Sequence, residues 1–335
     1  MNSAIPFLVI TPGDINGIGP EAVLKALVSI PHLTQPVLLL GPISAWIFYA
    51  DTIPEFSLEL EEISDLSSIK DNSVYVMNPA PEITSEPEPG RLTKEAGLIS
   101  MLSIKTAVDY CLDGSASAMV TAPISKEAVN LAGYHIPGHT EYLAERDGAA
   151  DVAMMLVNKQ LRVVPLTTHI PVSKVSNEIT GEAIIRKTKI IAESMKADFG
   201  ITSPKIAILG LNPHAGDGGV IGMEEIEVIS PAISRLQNDG VQCDGPFPAD
   251  GFFATGSWRN YDAVLSMYHD QGLIPFKTLS FNQGVNFTAG LSFIRTSPDH
   301  GTAFSIAGKN KAEHGSTSEA ITLALSLGRK KVMLS

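Results

Sequence analysis

The sequence predicts an α/β protein, with a mostly parallel sheet covered by helices on both faces to give three α/β/α layers. Two observations carry that expectation. Short apolar runs rich in β-branched residues recur, each closing in Gly, Pro or polar residues before a helical pattern begins. These runs are nearly continuous rather than alternating, as in parallel strands buried on both sides. No period of about 20–50 residues and no low-complexity tract interrupts the plan, which sets solenoids aside.

In chain order, "FLVITPGD" (7–14) reads as a strand leading through the glycine-rich "GDINGIGPE" (13–21) into the helix "GPEAVLKALVSI". That turn lacks the spacing of a dinucleotide-binding G-x-G-x-x-G, but its backbone N–H groups could face an anion. "APEITSEPEPG" (80–90), with its prolines and glutamates, reads as a surface loop. "ASAMVTAPISK" (116–126) is a strand before the helical "EAVNLAG". In "IPGHTEYLAE" (136–145) a helix is expected to start at His139 and Thr140, with Thr140 suited to the N-cap. "LRVVPLTTH" (161–169), "KIAILGLNPH" (205–214) and "DAVLSMYHD" (262–270) are three more strands. A second glycine-rich loop, "NPHAGDGGVIGMEE" (212–225), precedes another helix.

Composition narrows the function. A net charge of −12 disfavours nucleic acid, whose phosphates need a basic face, but leaves room for a small anion held by a few local cations. Cys111 and Cys243 lie far apart without CxxC spacing and read as free thiols of a reducing compartment. The first residues carry no basic stretch, and their apolar run is too short for a signal or a membrane span, so a cytoplasmic protein is expected.

Strand endings matter most, because ligands of open α/β sheets bind beyond the carboxyl ends of the strands. Three of the strands end in His169, His214 and His269, which are 45 and 55 residues apart. Each alone reads as a capping or buried histidine. Together at one sheet edge, three imidazoles would make an open divalent-metal site. The pattern leaves both readings standing. Asp270 would orient an imidazole, carry a proton, or simply cap a turn. Lys277, Asn286 and Arg295 fall among apolar residues in an acidic chain, the setting of an anion pocket, although solvated surface charges fit equally well.

The motifs "ITPGD-x-x-GIGPE", "GHTE", "TTH", "GLNPHAGDGG-x-x-G-x-EE", "YHDQGL", "GVN-x-T-x-GL-x-FIRTS-x-DHGTA" and "AGK" run in order from residue 10 to about 310. Jointly they resemble the 4-hydroxythreonine-4-phosphate dehydrogenase family. The resemblance implies an isocitrate/isopropylmalate dehydrogenase-like fold of two lobes around a central cleft. One lobe is expected to be discontinuous, 1–130 plus about 290–335, and the other, 131–289, to carry metal ligands and a dimer interface. It implies NAD- or NADP-dependent oxidation of 4-phosphooxy-L-threonine at C3, then decarboxylation to 3-amino-2-oxopropyl phosphate, in pyridoxal 5′-phosphate synthesis. A phosphorylated four-carbon sugar acid, D-threonate or D-erythronate 4-phosphate, is the alternative substrate. It further implies a divalent metal (Zn, Co or Mg) on His169, His214 and His269, and substrate contacts from His139, Thr140, Lys277, Asn286 and Arg295. The expected assembly is a homodimer with active sites at the interface. "PDHGTAFSIAGK" (298–309) resembles the adenine-side loop of isopropylmalate and isocitrate dehydrogenases, which implies cofactor contacts from His300 and Gly301. Residues 15–16 depart from the family pattern, being Ile-Asn where many members have Pro-Ala.

Overall fold

The computed structural model describes residues 6–334 apart from 55, 84, 137 and 282, so the reading of the N-terminal stretch lies outside it for residues 1–5. Twelve strands form among the described residues: β1 (Phe7–Thr11), β2 (Val37–Leu40), β3 (Leu60–Glu62), β4 (Val74–Met77), β5 (Ala116–Thr121), β6 (Ala153–Val157), β7 (Arg162–Thr167), β8 (Ile206–Leu209), β9 (Cys243–Phe247), β10 (Ala263–Tyr268), β11 (Val285–Ala289) and β12 (Arg295–Pro298). All five strands read from the sequence are among them. The chain divides into two compact units, Met1–Ala149 with Leu291–Ser335, and Ala150–Gly290.

In the first unit the strand order is β3-β4-β2-β1-β5-β12, and every pairing is parallel. β1 and β2 are buried along their whole length, which is why they read as unbroken apolar runs. Burying side chains such as Leu8 and Ile10 contributes about 1.5–3 kcal/mol each relative to exposure. Helix Lys94–Leu112 starts at Thr93, whose hydroxyl accepts the Ala96 N–H. Helix Gly19–Ser29 has Pro20 in its first turn, and its buried Glu21 accepts from Lys25 Nζ and from the Ala312 N–H, both at 2.8 Å.

The first unit continues past residue 130 to residue 149, and long-range contacts account for it. Helix His139–Asp147 is tied to the first unit by two residues of its last turn. Arg146 pairs with Asp109 of helix Lys94–Leu112, and Asp147 accepts from the Ser292 backbone N–H at 2.8 Å and from its hydroxyl.

In the second unit the order is β11-β6-β7-β10-β8-β9. β7, β10, β8 and β9 run parallel, whereas β6 is antiparallel to both of its neighbours. The β6–β7 turn closes on Asn158, whose Oδ1 accepts the N–H groups of Gln160 and Leu161. Leu156, Val163, Leu209, Val264, Trp258 and Phe276 form a core cluster of this unit. Neither cysteine is in a disulfide and both are buried, and burial pushes the Cys243 thiol up to about 11. Among the described residues no helix is long and apolar enough to cross a membrane.

Candidate functional site

The first unit gathers polar groups where β1 and β5 end. Thr11 and Thr121 are partners in register, and β12 starts beside them with Arg295 opposite Met119. Arg295 is only 2% exposed, so the surface-charge reading does not hold for it. Its Nε and Nη2 donate to the Thr121 hydroxyl at 3.0 and 2.6 Å. Burial lowers its pKa to about 10, which still leaves it cationic at neutral pH. A buried guanidinium of this kind is suited to forking onto phosphate or carboxylate.

His139 opens helix His139–Asp147, and its Nε2 is enclosed without a hydrogen-bond partner. Burial, reinforced by the positive charges of Arg295 and Lys126, holds the imidazole down at about 3. The ring is therefore neutral, with a buried polar atom still to be satisfied. Thr140 follows as the second helical residue and is half-buried. It is not the N-cap: Gly138 holds that position in an extended conformation, with no capping side chain.

The glycine-rich turn after β1 is not an open anion cradle. Asp14 occupies it, buried, accepting the Asn16 N–H at 2.9 Å, while the Ile18 N–H goes to the Thr302 carbonyl. Burial pushes the Asp14 carboxyl up to about 6, and its Oδ2 has no partner. His300 is also engaged, with Nδ1 against the Gly301 carbonyl at 3.1 Å and Nε2 against the Thr317 hydroxyl at 3.0 Å. Burial lowers its pKa, and the ring braces its loop against helix Gly315–Leu334. The neighbouring Gly301 is exposed, with open space where a Cβ would stand.

In the second unit the three histidines stand beyond neighbouring parallel strands. His169 follows β7 by two residues, His269 follows β10 directly, and His214 lies in the turn after β8. His169 and His214 are exposed and His269 is partly so. The Nδ1 of His269 is 2.7 Å from Asp270 Oδ1, an arrangement that leaves Nε2 as the free nitrogen. A carboxylate on the far ring nitrogen is the usual support of a metal-binding histidine. Nevertheless, the described residues of one chain contain no group of three or more His, Cys, Asp or Glu placed to hold a metal. The three histidines share a sheet edge within one chain without sharing a coordination sphere.

Lys277 is exposed, two turns along helix His269–Ser280 from His269. Asn286 lies on β11 with its Oδ1 enclosed and without a hydrogen-bond partner. Sequence reasoning did not single out the residues that hold these groups in place. Gln271 bridges two strand ends, accepting the Met267 N–H at 2.7 Å and donating to the Gly210 carbonyl at 2.6 Å. Glu225 accepts the N–H groups of Leu211 and Asn212, both at 2.7 Å. The paired acids after the glycine-rich loop were the visible signal for Glu225.

Comparison with known proteins gives the family. The model of the pyridoxal phosphate biosynthetic protein PdxA family matches residues 34–324. A 4-hydroxythreonine-4-phosphate dehydrogenase from a Sulfurihydrogenibium species is 43% identical over 322 residues, covering 96% of this chain and 98% of that protein. The enzyme of the same name from Prosthecochloris aestuarii is 42% identical over 331 residues, covering 96% of this chain and 97% of its own. A crystal structure of 4-hydroxythreonine-4-phosphate dehydrogenase from Klebsiella pneumoniae superposes with a TM-score of 0.86 at 36% identity, covering 98% of this chain and 99% of that one. The chain belongs to the PdxA family of pyridoxal phosphate biosynthetic proteins.

Proposed function

We propose that this protein is a metal- and NAD(P)-dependent dehydrogenase acting on 4-phosphooxy-L-threonine. It oxidises the C3 hydroxyl, and the resulting β-keto acid loses CO2 to give 3-amino-2-oxopropyl phosphate. Family membership supports the reaction, since relatives covering nearly the whole chain bear that enzyme's name. The single observation that carries it in the structure is the pairing in the first unit of buried Arg295 with neutral His139, whose Nε2 is unsatisfied. A cation and a neutral imidazole kept out of water are what a small phosphorylated substrate needs.

When bound, the divalent metal supplies Lewis acidity at substrate oxygens and the nicotinamide supplies hydride acceptance, neither of which a side chain has. The residues of this chain do the rest. Arg295, with Lys277, neutralises the anionic groups of the substrate. His139 Nε2, Thr140 and Asn286 Oδ1 offer directional hydrogen bonds that orient it. His169, His214 and His269 are the metal ligands, and Asp270 keeps the His269 Nε2 lone pair outward. His300 and Gly301 line the cofactor side. As the family resemblance implies, His269 of one chain serves with His169 and His214 of its partner in a homodimer; among the described residues, one chain alone holds no group of three metal-capable side chains. Two buried thiols outside any disulfide are consistent with the cytoplasm as its compartment.

The test is formation of NADH or NADPH from synthetic 4-phosphothreonine, with and without a chelator. Activity abolished by the chelator and restored by added divalent metal is expected. Turnover of D-erythronate or D-threonate 4-phosphate in its place would assign the chain to sugar-acid oxidation instead. The phosphothreonine ammonium group is what separates the two.

A further inference from the structure

We propose that Glu225 is the positioning residue for the metal ligand His214, holding in place the strained turn on which that histidine stands. The inference rests on the reading of His214 as a ligand. Five consecutive residues, His214, Ala215, Gly216, Asp217 and Gly218, have φ of 54°, 51°, 82°, 44° and 64°. Three of them carry a Cβ, which disfavours this left-handed conformation, so the turn persists only if its surroundings impose it.

Glu225 imposes it. Glu225 is only 2% exposed, and its carboxylate meets three N–H donors. Oε1 accepts the backbone N–H groups of Leu211 and Asn212, each at 2.7 Å, and Oε2 accepts Asn212 Nδ2 at 2.9 Å. The backbone closes on the same group from two sides. A Cβ at Gly210 or Gly216 would come within 3.0 or 2.7 Å of its carboxylate oxygens. A buried carboxylate meeting three N–H donors is well satisfied, and removing an acceptor leaves a donor stranded.

The network extends to the other ligand-bearing ends. Glu224 joins Asn212 Nδ2 (2.8 Å) to the hydroxyl of Ser176 (2.9 Å), which lies shortly beyond His169. Gln271 ties Gly210, at the root of the turn, to Met267, just before His269. Glu225 thus sits where the turn carrying His214 is anchored to its neighbours.

The experiment measures Co²⁺ and Zn²⁺ binding by chelator competition and the visible absorption of bound Co²⁺, on the full chain in its assembled state. It compares the unaltered protein, Glu225→Gln, Glu225→Gln with Ala215→Gly, and His214→Ala. Glu225→Gln keeps the shape but sets an amide N–H₂ against the Asn212 donor. Metal binding should weaken roughly 10- to 100-fold with an altered Co²⁺ band, as when support of a ligand is lost. Ala215→Gly should recover part of that loss, because glycine accepts the left-handed turn unaided. Should Glu225→Gln fail to fold, Asn212→Ala removes the side-chain donor to the same carboxylate and should weaken metal binding in the same direction. Unchanged affinity and spectrum in the folded variant, while His214→Ala loses the metal, overturns the role of Glu225 and leaves the ligand reading intact. Retention of the metal by His214→Ala overturns the ligand reading, and this proposal with it.

Discussion

The Nδ1 of His269 lies 2.7 Å from Asp270 Oδ1, so the carboxylate accepts Nδ1–H and fixes which ring nitrogen remains free. The contact is partly exposed, with the Asp270 side chain at 67%, and as an exposed hydrogen bond it contributes little to stability. Its value lies in orientation. Asp270→Asn should therefore leave unfolding within about 0.5 kcal/mol of the parent. Metal affinity should fall roughly 10- to 100-fold. Denaturant unfolding and chelator competition, run side by side, check both halves. A variant that binds metal normally would return Asp270 to the role of a turn residue.

Arg295 engages the Thr121 hydroxyl through both Nε and Nη2, which only a planar fork can do. Arg295→Lys keeps one charge but loses the fork. The KM for the phosphorylated substrate should rise about tenfold, equivalent to about 1.4 kcal/mol, with a smaller change in kcat. Steady-state kinetics on phosphorylated and unphosphorylated threonine derivatives measure this. Equal use of the unphosphorylated compound by the parent enzyme would contradict the anion assignment.

Asp14 and His139 make opposite contributions to acid stability. The Asp14 carboxyl is raised by burial from 3.8 to about 6. Between those values the folded state binds more protons than the unfolded state, so this group lowers stability as pH rises through the window. His139 is lowered by burial from 6.5 to about 3, so between those values the unfolded state binds more protons and stability rises with pH. Asp14→Asn keeps the Asn16 contact and removes the buried charge. It should stabilise the protein by up to about 3 kcal/mol above pH 6, with the gain fading toward pH 4. Urea unfolding at pH 7.5 and pH 4, at one protein concentration, gives the comparison. A gain independent of pH would show that burial of this charge is not the cause.

The strand ends were legible because buried parallel strands read as unbroken apolar runs closed by Gly, Pro or His, as in residues 161–169 and 262–270. Three features were not. β3 is a three-residue edge strand with two exposed glutamates, indistinguishable from loop. Assignment of helix His139–Asp147 to the first unit depends on Arg146 meeting Asp109 and Asp147 meeting Ser292, contacts between residues distant in sequence. The left-handed turn at His214 breaks local propensity at three of its five residues, His214, Ala215 and Asp217, and Glu225 anchors the two residues Leu211 and Asn212 that lead into it. The same holds for the site. The histidines and Arg295 were visible as types at strand ends, whereas the buried state of Arg295 and the absence, among the described residues, of a group of three metal-capable side chains belong to packing.

The central claim is that no chain owns a complete set of metal ligands, and mixing two inactive variants tests it most directly. His214→Ala and His269→Ala proteins are combined under conditions that let subunits exchange, and NADH formation from 4-phosphothreonine is followed. If His269 serves with His169 and His214 of the partner chain, a mixed dimer has one site carrying both lesions and one carrying neither. At random reassortment half the dimers are mixed, so activity should return to about a quarter of the unaltered level under closed twofold symmetry. If each chain supplied all three ligands to its own site, every subunit in the mixture would still lack one, and no activity would return.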